Sequence, residues 1–451
     1  MPQQRRSDVV LDSVKRLLRI GASANLLNLL QKQHPNDLAQ IFGSLLDTER
    51  QAVFSLLVER NSRLAMESVS EMGAEAGAKL LTGRSADEIA KLLQEIATDD
   101  AAALMEFLPE ELSAEVLELM GRRESGQVES LLEYGDQTAG RIMNPQVFAL
   151  SEDLTVGEAI TALQSARDVE MVFYLYVVDA RRHLVGVTSL RRLLLVSPET
   201  PLKRIMAPDV TSVRVDTDQE EVARQVASYN LLAVPVVDEE NKLVGVVTVD
   251  DVIDVIKDEA TEDLLRLAGV SGDERIATPA FEALSKRLPW LGVNLATAFL
   301  AASVVALFEG TIERITALAV FMPIVAGMGG NAATQTLTVI VRGLALGELS
   351  WSNAKAALGK EAVVGLGNGL ALGTIAAGVA WGTRRDPRLG LVLGMAMVCN
   401  MFVAATAGTL VPLGLKALKV DPALASAVFI TTFTDVVGFA SFLGLATIFL
   451  R

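Results

Sequence analysis

Six carboxylates crowd one short stretch of the chain at helical spacing. At about 100° per residue, Asp251, Asp254, Asp258 and Glu262 fall within about 80° of one another, with Glu259 and Asp263 at the rim of the same stripe. Lys257 is the lone base among them, and Val249, Val252, Ile253 and Ile256 cover another face. Like charges four residues apart on a helix repel by ~0.2–0.5 kcal/mol per pair. The stripe is therefore either an unusually acidic surface or one screened by hard cations, which take oxygen ligands. A different carboxylate stands by itself. Asp435 is the single charge in Pro422–Leu450, the fourteenth of 29 residues, and follows Thr431, Thr432 and Thr434. A charge at the centre of a membrane span costs at least ~2.5 kcal/mol, so an ionisable residue there is first read as functional. One carboxylate suits a divalent cation poorly; two, across a dimer axis, suit it well.

The elements that would position these groups follow from composition. The 451 residues are 51% hydrophobic and 21% charged, with a mean hydropathy of +0.37. That hydropathy is too high for an ordinary soluble enzyme, and the charge is too high for a chain that is all membrane. Seven acids and ten bases follow Pro289, leaving 48 and 30 before it, a local net of −18. An acidic soluble half precedes an apolar half, which excludes a basic nucleic-acid footprint and favours cationic ligands. Charge-free runs at Leu288–Phe308, Ile315–Val341, Ala362–Thr383 and Leu389–Leu415, with Pro422–Leu450, predict five spans, since about 20 apolar residues cross a bilayer core. No signal peptide opens the chain, so the soluble half is expected in the cytosol, with the spans in the cell (inner) membrane. Flanking bases divide seven inside to five outside, a weak agreement. The single cysteine, Cys399, excludes a disulfide framework, and His34 and His183 read as surface or cap residues.

Inside the second run, Pro323, Gly327, Gly329 and Gly330 precede Asn331. This density predicts a broken helix whose freed carbonyls face an ion path, the alternative being a kinked packing helix. Gly365, Gly369 and Gly373 read as a seam for close helix contact.

Two repeats organise the soluble half. Asp37–Leu57 and Glu88–Leu108 align at an offset of 51 with helical apolar spacing, so residues 22–133 form a helical repeat domain after an extension at 1–21. Further on, Met143-Asn144-Pro145 recurs as Met206-Ala207-Pro208, and Val178-Asp179 through Thr188 recurs as Val237-Asp238 through Thr248. Each copy reads as strand, helix, strand, turn, strand, helix. This resembles a tandem pair of CBS domains, placed with their final helix at residues 134–263. CBS domains often bind adenosine nucleotides through Thr/Ser and an Asp three residues on. Thr248 and Asp251 fit that pattern, whereas Thr188 is followed by Arg191. Gly269 and Gly272 end the acidic helix, and Thr278-Pro279 starts a short amphipathic helix to Arg287 as N-cap and first-turn proline, making residues 264–287 a connector to the membrane region 288–451.

The whole assembly, an α plus α/β multidomain membrane protein, resembles the MgtE family of magnesium channels over essentially its full length. Pro323 to Gly329-Gly330-Asn331 and Gln335 carry the resemblance, with Gly359-Lys360-Glu361, Asn368-Gly369, Asp421-Pro422-Ala423 and Thr434-Asp435-Val436-Val437-Gly438. It implies a homodimer with a Mg2+-selective pore in the lipid bilayer. Asp435 would be the pore carboxylate beside backbone oxygens of Gly329, Gly330 and Asn331, and Asp421 would lie at the cytosolic mouth. It further implies closure by cytosolic Mg2+ held on Asp218, Glu220, Asp251, Asp254, Glu259, Glu262 and Asp263, with Asp99 and Glu67 of the N-terminal domain. Asn230 and Ala103 depart from positions where family members can carry an acid, which bears on the number of regulatory ions. Co2+ and other divalents are further candidate cargo, and ATP is a candidate ligand of the CBS pair at Thr248. Gly359-Lys360 lacks the rest of a Walker A sequence, so the expectation is passive transport and not an enzyme. The competing reading is a secondary transporter of another divalent cation or small solute. For an organic or anionic solute that reading calls for intramembrane Arg or Lys, or a second buried acid, and the charge-free runs hold neither.

Overall fold

The computed structural model describes residues 2–166, 173–272, 274, 278–424 and 427–450. It divides into two compact units, Met1–Ile256 and Lys257–Arg451.

The first unit begins with short helices. The two aligned repeats are helix pairs, Pro35–Gly43 with Asp47–Arg60 and Ala86–Leu93 with Thr98–Glu106. Local signals set their starts. His34 caps the first helix through Nδ1, which accepts from the Asn36 amide at 3.3 Å, with Pro35 in the first turn; Ser85 and Glu88 form a capping box on Ala86–Leu93. The apolar stripes supply the core: Leu38, Ile41 and Phe42 in one repeat and Ile89, Leu92 and Leu93 in the other are buried. Phe42 meets Phe54 edge-on at 6.5 Å between ring centroids.

Two three-stranded sheets follow. Ala149–Ser151 pairs parallel with Tyr174–Val178, which pairs antiparallel with Leu184–Ser189; Val213–Arg214, Ala233–Val237 and Leu243–Thr248 repeat the arrangement. The copies exchange their lead-in segments. Asn144 and Val246 trade backbone hydrogen bonds at 2.8 and 3.0 Å, and Val187 and Ala207 do so at 3.0 and 2.8 Å. Gly186 and Gly245 permit this close approach: a Cβ at either would lie within 2.6 Å of the sulfur of Met206 or Met143. The recurring Met-x-Pro segment is thus the interlock between the two copies.

The boundary between the units falls inside the acidic helix, Val249–Leu267. Its buried apolar residues are Val252 and Val255, whereas Ile253 and Ile256, expected on the covered face, are exposed. The helix ends at Gly269, whose φ of +72° permits a Schellman closure, with Val270 N–H donating to Leu265 C=O at 2.9 Å and Gly269 N–H to Arg266 C=O at 2.9 Å.

The second unit holds five helices long and apolar enough to span a bilayer: Ala280–Ala306, Ala317–Ala345, Ala354–Arg384, Pro387–Ala417 and Ala427–Phe449 (spans one to five). Three expectations are corrected here. The connector helix is not separate, because Ala280–Ala306 runs unbroken past Pro289 into span one, and Pro279 stands at its N-cap position in place of the first turn. The second span is also unbroken. Pro323 removes one donor from its interior, but the ladder continues through Gly327, Gly329 and Gly330, which supports the packing reading. Span three extends N-terminally past its charge-free run and so carries Glu361, a buried acid that a search for uncharged runs excludes by construction. The expected glycine seam is present: a Cβ at Gly365, Gly369 or Gly373 would lie 2.7–2.8 Å from atoms of span four.

Candidate cation sites

In the first unit, acids face acids. Asp99 and Asp100 open the helix Thr98–Glu106, and Asp250 and Asp251 open the acidic helix. Burial, with Asp251 and Asp100 as like-charged neighbours, holds the Asp99 carboxyl well above the usual carboxylate range, while the amides of its own helix start pull the other way. Its Oδ1 is buried and accepts from no described residue. Asp251 is pushed up to about 7 by burial, against the pull of Thr248, whose hydroxyl donates to its Oδ2 at 2.5 Å. Burial also raises Asp100 and Glu71, both with help from Asp254 and Asp250.

In the second unit, the last turns of the acidic helix meet Asp421. The Arg266 guanidinium pairs with both Glu262 and Asp421, and the Ala423 amide donates to Asp421 Oδ1 at 2.8 Å. Asp263 is raised to about 6, first by burial and then by Asp421 and Glu259.

Farther along this unit, Asp435 is half-buried on span five and accepts from no described residue. The threonines before it are turned to their own helix: Thr431 and Thr432 donate to Val428 C=O at 3.1 and 2.7 Å, and Thr434 to Thr431 C=O at 2.8 Å. Gly329 and Gly330 are buried against Asn400 and Thr431, while Asn331 is exposed. Among the described residues, no three His, Cys, Asp or Glu side chains converge to hold a metal ion by themselves. The carboxylates could still bind a hydrated cation through its waters, one or two at a time.

Comparison with known proteins places this geometry. The MgtE family, described as divalent cation transporters, matches residues 322–445, the MgtE intracellular N domain matches 33–137, and CBS domains match 139–199 and 202–258. The magnesium transporter MgtE of Thermus thermophilus is 37% identical over 97% of this chain and 98% of its own length. The chain belongs to the MgtE family. The MgtE of Enterococcus faecalis is 41% identical over 73% of this chain and 72% of its own. A solved cytosolic domain of the Mg2+ channel MgtE, in complex with ATP, is similar at 37% identity and a TM-score of 0.51, covering 54% of this chain and 99% of that one. This MgtE-family chain is a multi-pass membrane protein with cytosolic N-terminal domains.

Of the acids singled out in the sequence, Asp99, Asp251 and Asp254 interact in the first unit, and Glu259, Glu262, Asp263 and Asp421 in the second. Others are engaged locally. Asp218 caps Gln219–Tyr229 by accepting from the Glu220 amide at 2.9 Å, and Glu67 pairs with Arg63 one helical turn away at 2.9 Å. Asn230 ends the Asp218-capped helix in the left-handed region, φ +51°, a conformation Asn tolerates well. Thr248 gives its hydroxyl to Asp251. A cleft of about 380 Å³ in the same CBS copy is lined by Thr211, Glu221, Arg224, Gln225, Ser228 and Tyr229 and does not include Thr248. Glu71, Asp100, Asp250, Arg266 and Asn400 are not among the candidates that the sequence marks, and Glu361 stands there only as part of the Gly359-Lys360-Glu361 motif. The doubled acids at 99–100 and 250–251 were a legible signal for two of these.

Proposed function

We propose that two copies of the chain form a Mg2+ channel, passive and not enzymatic, which closes when cytosolic Mg2+ rises. Relatives named as magnesium transporters over nearly the full length support the cargo. The observation that carries conduction is Asp435, a membrane carboxylate with no described partner; paired with its copy across a dimer axis it would hold a hydrated divalent ion. Span one, exposed along nearly its whole length, and the exposed Ile253 and Ile256 offer apolar surface to lipid and a second copy.

Closure is assigned to the regulatory acids. Asp99, Asp251 and Asp254 within the first unit, and Glu259, Glu262, Asp263 and Asp421 within the second, would repel among themselves until cations offset the charge; Asp218, Glu220 and Glu67 would add outer ligands through water. ATP at the CBS pair is proposed from the solved ATP complex of the related domain. Single-channel recording in lipid tests the reading. Open events at low internal Mg2+ and silence at about 10 mM, above ordinary sensor affinities, are expected; currents indifferent to internal Mg2+ would overturn the gating.

Glu361 favours one second reading. Its carboxylate is buried in span three, accepts from Thr336 at 3.4 Å and pairs with Lys360 at 3.1 Å. A secondary transporter coupling divalent-cation entry to protons could use such a group. Mg2+ uptake that stops when a proton gradient is collapsed would favour that reading over a channel.

A further inference from the structure

Asn400 on span four is a polar side chain buried among the spans, 1% exposed. Its amide fills a slot made by glycines on two other helices. A Cβ at Gly329 of span two would overlap the amide nitrogen, and one at Gly438 of span five would lie 2.7 Å from it. Nδ2 donates to Val325 C=O of span two at 2.8 Å, and because that carbonyl can only accept, the orientation of the amide is fixed. Oδ1 then accepts from no described residue. An apolar side chain of similar volume would fill the slot without burying an unpaired acceptor, which costs ~1–3 kcal/mol. The polarity of Asn400 therefore serves something other than filling space.

What lies beside the slot indicates what it serves. Gly438 is three residues after Asp435, so the two share a face of span five. Gly329 comes directly before Gly330, whose absent side chain lets Thr431 of span five approach, with its Cγ2 at 3.3 Å from where a Cβ would stand. We infer that Asn400 is a positioning residue for the ion path: it keys span five to span two through Gly438 and Gly329, and so sets the rotation of the helix that carries Asp435. This rests on the reading of Asp435 given above. It also changes the role of two motif glycines, which become sockets for one amide.

The test is a suppressor cycle in the full-length protein, reconstituted in liposomes and followed by Mg2+ uptake. Gly438→Ala should drive a methyl into the amide and lower uptake at least tenfold. Asn400→Ala should do the same by freeing the rotation. The double variant, whose new methyl occupies the emptied slot, should recover at least threefold over either single. If the single variants fail to fold, recovery of folded protein in the double reports the same key. Folded Asn400→Leu, which keeps the volume and loses the amide, should need at least threefold more Mg2+ for half-maximal uptake, a shift that general loss of packing would not give. A double variant no better than its parents, or Asn400→Leu with unchanged half-saturation, would overturn the inference. Asp435→Asn in the same assay separates the two readings: normal uptake there refutes the pore carboxylate, while recovery in the double still reports the key.

Discussion

The two units use the same residue type in opposite ways. In the first, carboxylates are abundant and set against one another, with Asp250 and Asp254 among the neighbours, so that burial and like charge raise the proton affinity of Glu71, Asp99, Asp100 and Asp251. In the spans they are scarce: Asp435 has no described partner, and Glu361 is satisfied by Thr336 and Lys360. Crowding makes the first arrangement responsive, because anything that neutralises the excess stabilises it. On the proposed pore role of Asp435, isolation would suit the second to an ion that brings its own hydration shell, since one carboxylate cannot replace that shell.

The sharpest way to break this contrast is at Asp435. Replacement by Ala should lower Mg2+ uptake by about 100-fold or more, with assembly intact, because the span then holds nothing to offset the cost of bringing a divalent ion to membrane depth. Uptake by liposomes and the elution volume of the solubilised protein measure the two halves of the statement. Normal uptake would leave the scarcity without a function.

Next comes the crowded side. Asp99, Asp100 and Asp251 have folded-state proton affinities raised above their unfolded values. The folded state therefore holds more protons than the unfolded one, and stability falls as pH rises from about 4 through about 7, the value for Asp251. In divalent-free buffer the first unit should gain protease protection between pH 7.5 and 6, and adding Mg2+ at pH 7.5 should have the same effect. Asp251→Asn keeps an acceptor for the Thr248 hydroxyl and removes the charge, so it should stabilise the ion-free protein by on the order of 1–2 kcal/mol and flatten the pH dependence. The price should appear in gating. Changing Asp251, Asp254, Glu259 and Glu262 together to Ala should leave conduction intact but move closure to severalfold higher internal Mg2+, because bridging ions are lost along with the repulsion. An unchanged closing concentration would return these acids to plain solvated surface.

How much of this was legible in sequence depended on whether a feature was local. The helix repeats, the strand–turn–strand pairs and the spans announce themselves by periodicity or length, and the His34 cap and the Gly269 stop by residue type. Features that depend on a distant partner were silent. Gly329 reads as a helix breaker until Asn400, 71 residues on, is seen to fill it. The stripe reads as one surface until its first turns are found among N-terminal acids and its last beside Asp421. Glu361 is legible as part of a motif but not as a residue within a span, because a charge-free run stops at the charge, whereas a helix does not.

The smallest expected effect lies where the two strategies meet, at Arg266. Its guanidinium pairs with Glu262 and Asp421, so a tethered cation occupies acids that a mobile one would otherwise bridge. Removing it should leave Glu262, Asp263 and Asp421 with more unbalanced charge and a stronger hold on divalent ions. Arg266→Gln keeps much of the side chain's length, polarity and stem packing while deleting the charge. The pairs are about one-third exposed, so screening limits their worth to ~0.2–1 kcal/mol, which corresponds to no more than about a fivefold change in an ion's affinity. Closure should therefore occur at two- to fivefold lower internal Mg2+, opposite in direction to the neutralised stripe. High salt should erase the difference, because it screens the charge that the substitution unmasks. A shift toward higher Mg2+ would instead mean that Arg266 holds the closed arrangement together through its own ion pairs with Glu262 and Asp421.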